Sequence, residues 1–451
     1  MYNNNYILNL LNIKDKNIFI NQNIIKERKI GKKNYKIIEG FLTYIPKYCP
    51  CCGIINKSHN DIIKWGYRKN CKVKIPKISN CSSLLILHKQ RFLCKHCHNT
   101  FIAETDLVDK NKNISNNTEL QINLELMKKQ SEKDIAERMD VSVSKIDRKL
   151  NEISTHTVLR HPTLPKSMNW DEFKATKDTK GKMAFIITDN KNGTIFDIND
   201  TRKSNDLEKY FKRYSKQERD KVKHISIDFY SGYIHLAKNL FKNAEISIDR
   251  FHIVIQAYNA LNTTRVKLCY KSNPYYNKLK NYWKLIVKNE NDLSDIKQYS
   301  KYFKKEISQK EIVQFLINTD KTLKATYECY QGIINSLKQK DFNKFKSIVM
   351  HKNENISKKM KQALNLYKES IKYIENSFKY DINNGIIEGT NNLIKCLKRI
   401  AFGYKKYDHF IARIFLIKGI IKGWYFITLI INSFIKFIVH QHYLTKNLIF
   451  L

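Results

Sequence analysis

Asp171 in MNWDEF, Asp228 in HISIDFY and Glu388 in IIEGTNNLIKCLKRIAFGY lie far apart in the chain, two in strand contexts and the third on a late helix. Such hard oxygen ligands can hold a pair of Mg²⁺ ions roughly 3.5–4 Å apart, gripping the attacking and leaving oxygens of a phosphoryl transfer. The helix that carries Glu388 has suitable company. Gly385 interrupts what precedes it, and Ile387, Ile394, Leu397 and Ala401 recur on one side at helical spacing. Glu388 leads Asn391, Asn392, Lys395, Lys398 and Arg399 on the other. A carboxylate, then amides, then cations on one face suits a metal ion beside a phosphate backbone. Isolated aspartates at strand ends are commonly turn or capping residues. Asp189 and Asp197 fit that bland reading, since they flank Asn192-Gly193 in an evident hairpin. Asp228 fits it poorly, because it ends the run of Ile225 and Ile227 and precedes Phe229, Tyr230 and the Gly232 turn. Asp249 in ISIDRFH repeats the arrangement, and position alone does not choose between the two.

A second constellation is made of sulfur. Cys49-Pro50-Cys51-Cys52 and Cys94-Lys95-His96-Cys97 are two C-x-x-C pairs, able to supply four thiolates to a tetrahedral Zn²⁺. The 41 residues between the pairs contain the strand-like LLILHKQRFLC, so the site joins two hairpins and stabilises a segment that lacks a large core. Cys51 is an alternative ligand, although Cys49 and Cys52 have the right spacing. Cys71, Cys81, Cys269, Cys329 and Cys396 stand alone and read as ordinary thiols.

These residues need elements to position them. Residues 1–48 show short strand-like runs, NIFI at 17–20 and KIIEGFLTYI at 36–45. SEKDIAERMDVSVSKIDRKLNEI at 131–153 reads as a helix-turn-helix, although any amphipathic helical hairpin imitates the pattern. Ile135, Ala136 and Met139 pack its first helix, MDVS turns, Ser142 caps, and Val143, Ile146 and Leu150 pack the second. That helix is expected to present Ser144, Lys145, Asp147, Arg148 and Lys149 to a groove or backbone. Asp140 stands where such a turn most often has glycine. After the turn signals of HPTLPKS, a block with KMAFIITDN, TIFDIND, HISIDFY and AEISIDR, broken by an amphipathic segment near 204–218, argues for an α/β sheet. From 253 to 380 the pattern is helical.

At 451 residues the chain has room for about three domains. Lys plus Arg number 82 against 42 for Asp plus Glu, a net charge of +40 spread over the whole chain, which points to a polyanionic partner. Part of that excess follows from a composition rich in Lys, Asn and Ile. Ten clustered cysteines exclude a secreted disulfide scaffold. Lys14 and Lys16 follow the first apolar run, which is not the order of a signal peptide. WYFITLIINSFIKFIV at 424–439 falls short of a span of roughly 20 residues and carries Asn432, Ser433 and Lys436. A packed or partner-facing helix is the expectation there, and the expected location is the cytoplasm, with the nucleoid.

The ordered set CPxC, CxxC, helix-turn-helix, WDEF, IDFYSGY, IDRFH and IEGTNNLIKCLKRIAFGY resembles the bacterial insertion-sequence transposases of the ISL-three family, from about residue 5 to about residue 416. The resemblance implies an α/β protein with an RNase H-like DDE catalytic core at 165–252 and 381–416 and a helical insertion at 253–380. In front it implies an N-terminal β segment at 1–48, a zinc-binding domain at 49–104 and a helix-turn-helix at 119–160. Residues 417–451 form an apolar tail beyond what the family leads one to expect. Asp171, Asp228 and Glu388 become the catalytic triad, with Asp249, Arg250, His252, Asn391 and Lys395 supporting it. The implied chemistry is Mg²⁺- or Mn²⁺-dependent cleavage of phosphodiesters and joining of the freed 3′-OH to target DNA, with a structural Zn²⁺ at Cys49, Cys52, Cys94 and Cys97. Double-stranded DNA, both terminal inverted repeats and target, is the expected partner, met by Ser144, Lys145, Arg148, Lys149, Lys398 and Arg399. Two ends cut together imply a homodimer or a larger assembly, with no membrane involved. Two rivals are a catalytically decayed DNA-binding repressor and a structure-specific nuclease on the same core.

Overall fold

The computed structural model describes residues 3–20, 25–31, 33–57, 59–155, 161–380 and 385–421, with the side chains of 3–5 and 385–388 left aside. The chain divides into two compact units. One comprises Met1–Val158, Lys395–Tyr404 and Asp408–Leu451, the other Leu159–Ile394 and Lys405–Tyr407.

The first unit opens with a helix, α1 (Asn3–Leu10), where strand-like runs alone were expected. Strands β1 (Ile18–Ile20), β2 (Lys26–Ile30), β3 (Lys33–Leu42), β4 (Ile62–Ile78), β5 (Cys81–Cys94) and β6 (Thr100–Ile102) follow. Their sheet runs β1-β3-β5-β4, with β2 on β3 and β6 on β5. β3 pairs in parallel with β5 from Tyr35↔Ser82 to Leu42↔Lys89. Residues 1–48 are therefore hydrogen-bonded into the same sheet as the cysteine-bearing strands instead of standing as a separate segment. The physical reason is a shared core in which Ile18, Ile38 and Leu42 pack with Leu85, Leu87 and Phe92.

Three short helices come next, α2 (Asn116–Leu126), α3 (Glu132–Met139) and α4 (Val143–Thr155). Ser131 and Asp134 close a capping box at the start of α3, and Ser142 Oγ accepts the Lys145 N–H at 3.2 Å to start α4. Ile122, Leu126, Ile135, Ala136, Ile146, Leu150 and Ile153 are buried. Val143 is 48% exposed, because the first residue of α4 points away from that core. Asp140 occupies the turn at φ 52°, the left-handed region that glycine would take without strain. Its carboxylate earns that conformation: Lys33 Nζ donates to it at 2.5 Å, Lys74 donates to its other oxygen, and its side chain is 4% exposed.

Burial works against the Asp140 charge, but hydrogen bonds from Lys33, Lys74 and Ser82 outweigh it and hold the carboxyl well below the usual carboxylate range. Desolvation lowers Lys74, whereas the Asp140 bond raises Lys33. Asp140→Ala leaves Lys74 half-buried without its partner and a Cβ residue at positive φ. Loss of about 3–5 kcal/mol is expected from the broken pair, to be measured by denaturant unfolding. Asp140→Gly loses the same ion pairs but relieves the backbone strain, so it should be about 1 kcal/mol more stable than Asp140→Ala. Because the folded carboxyl titrates below its unfolded value near pH 4, this contribution is present above about pH 4 and fades as the pH falls below it.

The second unit is built on β7 (Ser167–Lys174), β8 (Met183–Asp189), β9 (Ile195–Asn199), α5 (Ser204–Lys212), α6 (Lys216–Asp220), β10 (His224–Ile227), α7 (Ser231–Leu240), β11 (Glu245–Ile248) and α8 (Arg250–Lys267). Its sheet runs β11-β10-β7-β8-β9. β7, β8 and β9 form an antiparallel meander, while β10 lies parallel to both β7 and β11. Trp170, Phe185, Phe211, Tyr233 and Phe241 fill the adjoining core with stacked and edge-on contacts. Asp189 behaves as a turn residue, accepting the Lys191 N–H at 2.8 Å beside Gly193 at φ 64°. Asp197 does not: it lies on β9, accepts the Tyr210 hydroxyl at 2.6 Å, and burial raises its pKa.

After α8 come α9 (Tyr276–Asn281), α10 (Trp283–Ile286), the hairpin β12 (Gln298–Ser300) and β13 (Lys305–Ile307), then α11 (Gln309–Ile317), α12 (Lys321–Lys338), α13 (Phe342–Met350), α14 (Lys358–Glu369) and α15 (Ile371–Lys379). α8 packs on α12 and α14, and the buried Tyr367 hydroxyl donates to the Ile253 carbonyl at 2.7 Å.

α16 (Gly385–Ile400) and α17 (Tyr407–Ile417) complete the described elements. Residues 408–417 pack with the first unit. Buried Arg413 is the cause, donating to the carbonyls of Leu126, Lys128 and Gln130 and so satisfying the C-terminal end of α2. Among the described residues no helix is long and apolar enough to cross a membrane. The apolar run at 424–439 lies outside the described residues.

Candidate catalytic and metal sites

Strand register assembles the first site. In the β10–β7 pair Ser226 stands opposite Asn169, and in the β10–β11 pair Ile227 stands opposite Ile248. Extending each pairing by one or two positions sets Asp171, Asp228 and Asp249 side by side across three adjacent strands, on one face. Each carboxylate is fixed from its own backbone. Asp171 Oδ1 accepts the Glu172 N–H at 2.7 Å, Asp228 Oδ1 the Tyr230 N–H at 2.8 Å, and Asp249 Oδ1 the Phe251 N–H at 2.9 Å. The last bond also caps α8.

Burial pushes Asp228 above its ordinary range; the Tyr230 N–H and His252 pull it back, and Glu172 and Asp171 add repulsion. Asp249 is raised in the same way, by burial first, then against the Phe251 N–H and His252, with Asp171 and Asp228 repelling it. Crowded, desolvated carboxylates of this kind relax when a dication sits among them. α16 reaches the row through Asn391, whose Nδ2 donates to Asp171 Oδ2 at 2.6 Å. Among the described residues the buried Asn391 Oδ1 has no hydrogen-bond partner, which leaves one more hard oxygen beside the carboxylates. The donor set fits Mg²⁺ or Mn²⁺.

Glu388 falls on the first turn of α16, and its side chain lies outside the described residues. His252 is half-buried on the first turn of α8. Arg250 ties α8 to the end of α15, donating to the carbonyls of Ser377 at 2.8 Å and Tyr380 at 3.1 Å. Sequence reasoning missed Arg202, which grips both oxygens of Glu172 at 2.7 and 2.8 Å while the Tyr233 hydroxyl donates to the same carboxylate at 3.2 Å. No spacing rule links Glu172 to Arg202; only the antiparallel meander brings them together.

The second site is sulfur. Cys49 and Cys97 Sγ are 3.7 Å apart, Cys52 and Cys94 Sγ 3.8 Å, and all four lie within 4.8 Å of one another. Those separations match the edge of a tetrahedron with Zn–S bonds of ~2.3 Å, about 3.8 Å. Each pair sits on a tight knuckle closed by a residue at positive φ, Gly53 at 76° and His98 at 57°. Cys51 contributes its backbone N–H to Cys49 Sγ at 3.4 Å, and its own sulfur stays outside the cluster. The Ile54 N–H favours a Cys52 thiolate, yet desolvation and the sulfurs of Cys97, Cys49 and Cys94 outweigh it and push that thiol up to about 12. A central dication reverses this balance, so the cluster could hold zinc.

The residues expected to meet DNA divide. Ser144 and Arg148 are exposed on α4, as is Arg399 on α16, where Lys395, expected to support the catalytic site, is exposed too. Lys398 lies over the Phe410 ring at 5.0 Å. Lys145 and Lys149 turn the other way, toward α2, where both pair with Glu119, and Lys149 also pairs with Glu152 at 3.0 Å. α4 thus offers a groove fewer cations than its sequence suggests, because a third helix with a buried carboxylate stands behind it. Arg148→Ala is expected to weaken DNA retention with little change in stability, and Lys149→Ala to lower stability by about 1–3 kcal/mol, since Glu119 loses a buried partner. Filter binding at matched salt, beside thermal melts of both variants, checks the division.

A protein named ATP-dependent protease from Lactococcus lactis subsp. lactis is 28% identical over 132 residues, a match spanning 29% of this chain and only 42% of that protein. A family model described as transposase, of the DDE class and the ISL-three type, matches residues 169–414, a stretch that holds Asp171, Asp228, Asp249 and Asn391. Because that match covers more than half of a chain whose sheet sets three aspartates in one row, the protein belongs to the ISL-three family of DDE transposases.

Proposed function

We propose that this transposase binds the ends of its insertion element, cleaves a phosphodiester at each end and joins the freed 3′-OH to target DNA. The observation that carries the reading is the aspartate row on β7, β10 and β11, with Asn391 of α16 bonded to Asp171. Three antiparallel strands followed by two parallel ones, in the order β11-β10-β7-β8-β9, support an RNase H-like core. Helical periodicity sets position 388 one turn ahead of Asn391, which supports Glu388 as the third member of the triad. Mg²⁺ or Mn²⁺, bound by Asp171, Asp228 and Glu388, supplies positive charge to the phosphoryl group as it passes through its transition state.

The chain's own groups do the rest. His252 offsets part of the repulsion at Asp228 and Asp249, and Asn391 fixes Asp171 by its amide. Water attacks the phosphorus at each element end, leaving a 3′-OH on one side of the break and a 5′-phosphate on the other; the 3′-OH then attacks a target phosphorus, forming a new phosphodiester as the target strand's own 3′-oxygen leaves. Zinc at Cys49, Cys52, Cys94 and Cys97 keeps the N-terminal sheet in shape, and α3 and α4 act as a helix-turn-helix through Ser144 and Arg148. The net charge of +40 gives the salt-dependent part of the affinity. Two chains act together on two ends. The protease name of the Lactococcus lactis relative is not carried over, since that match touches under a third of the chain. The test is a duplex bearing the element's terminal repeat, incubated with protein and Mg²⁺. Cleaved and joined products are expected; cutting without joining indicates a nuclease, and retention without cutting a repressor.

A further inference from the structure

We propose that Glu132, Asp147 and His409 form a second divalent-metal site, of the zinc class, that fastens α17 across α3 and α4. One ligand atom from each lies within 4.8 Å of the others, and the three come from three different helices of the first unit. His409 is 4% exposed, while the Asp147 side chain is 41% exposed, so the imidazole is anchored and the site opens to solvent on one side.

The hydrogen bonds fix which ring nitrogen faces the carboxylates. Asn151 Nδ2 donates to Asp147 Oδ2 at 3.3 Å, which orients the amide so that Asn151 Oδ1 meets His409 Nε2 at 2.7 Å. A carbonyl oxygen there requires Nε2 to carry the proton and donate. The lone pair of neutral His409 therefore sits on Nδ1, which points at Asp147 Oδ1 at 3.5 Å with Glu132 beside it. A lone pair facing two carboxylates repels them unless a cation lies between. An imidazole whose far N–H is held by an amide or carboxyl oxygen is the usual arrangement of a metal-bound histidine. The 3.5 Å separation is close to the tetrahedral edge of about 3.4 Å for N and O ligands at ~2.1 Å from zinc. One imidazole, two carboxylates and water from the open side complete a four-coordinate Zn²⁺.

This site is separate from the cysteine cluster and owes nothing to the catalytic reading. The experiment uses the full chain, equilibrated with buffered Zn²⁺ and assayed by elemental analysis and thermal melts. The wild type is expected to hold about two Zn²⁺ per chain, and Asp147→Asn and Glu132→Gln about one, with the cysteine-bound ion retained. Cys94→Ser should also fall by one, and the double variant with Asp147→Asn to none. Added Zn²⁺ should raise the melting temperature of a Cys94→Ser chain and leave its double variant unmoved. Asp147 is partly exposed, so its change to Asn keeps the fold. One Zn²⁺ in the wild type, or two in both Asp147→Asn and Glu132→Gln, overturns the proposal in favour of a proton at Nδ1.

Discussion

Asp171→Ala, Asp228→Ala and Glu388→Ala are each expected to abolish DNA cleavage, by on the order of 10³-fold or more, while retention of the duplex stays nearly unchanged. Two of these residues stand on adjacent parallel strands, where β10 and β7 pair from His224↔Ser167 onward. Removing either leaves the neighbouring carboxylates to hold a dication with too few oxygens, and the charge on the reacting phosphoryl group is no longer met. On the proposed reading the exposed Arg148 of α4 and Arg399 of α16 hold the DNA backbone and are untouched by these changes. Asp249→Asn should be milder. Asparagine still accepts the Phe251 N–H and caps α8, so the change removes a charge without loosening the helix. Cleavage and electrophoretic retention measured on the same end-bearing duplex decide the matter. An inactive Asp249→Asn beside an active Asp228→Asn moves the middle member of the triad to Asp249, and normal cutting by all four variants sinks the enzyme reading.

Cys94→Ser is expected to cost the protein its cysteine-bound zinc and to destabilise the N-terminal sheet by several kcal/mol, less than the about 10–16 kcal/mol seen in zinc-finger peptides that have no other core. Cys94 is fully buried at the end of β5, and its sulfur is 3.8 Å from that of Cys52. Ile38, Leu42, Leu85 and Phe92 still pack without the ion, which is why the sheet loosens instead of vanishing. Elemental analysis and differential scanning calorimetry read the two effects, with Cys71→Ser as the control that keeps its zinc. Full zinc occupancy in Cys94→Ser, or none in the wild type, ends the assignment.

The sequence made some of this legible and hid the rest for identifiable reasons. C-x-x-C spacing announced the sulfur cluster because each knuckle is local; the fourfold convergence needed only a hairpin long enough to return, and β4 with β5 provides it. Asp228 and Asp249 were indistinguishable by pattern, and register explains why: they are neighbours in one row, so both carry the same strand-end signature. Lys149 was misread as outward-facing because the period of α4 gives two candidate polar flanks, and only Glu119, thirty residues earlier on α2, selects the inner one. Nothing local to α17 signals that Arg413 meets the carbonyls of Leu126, Lys128 and Gln130. Short-range chemistry reads well from sequence, and pairings across a hundred residues or more do not.

The bond from Asn391 to Asp171 spans 220 positions, and that separation sets a delay during synthesis. At ~5–20 residues per second, a ribosome needs about 10–40 s after Asp171 emerges before Asn391 exists to meet it. During that interval the nascent chain already carries its cysteine knuckles and the three helices behind them, but its aspartate row lacks the helix that steadies it. A chain cut short before α16 never passes this point. Translation itself thus separates the time at which the protein can fold its leading sheet from the time at which its carboxylates can be completed.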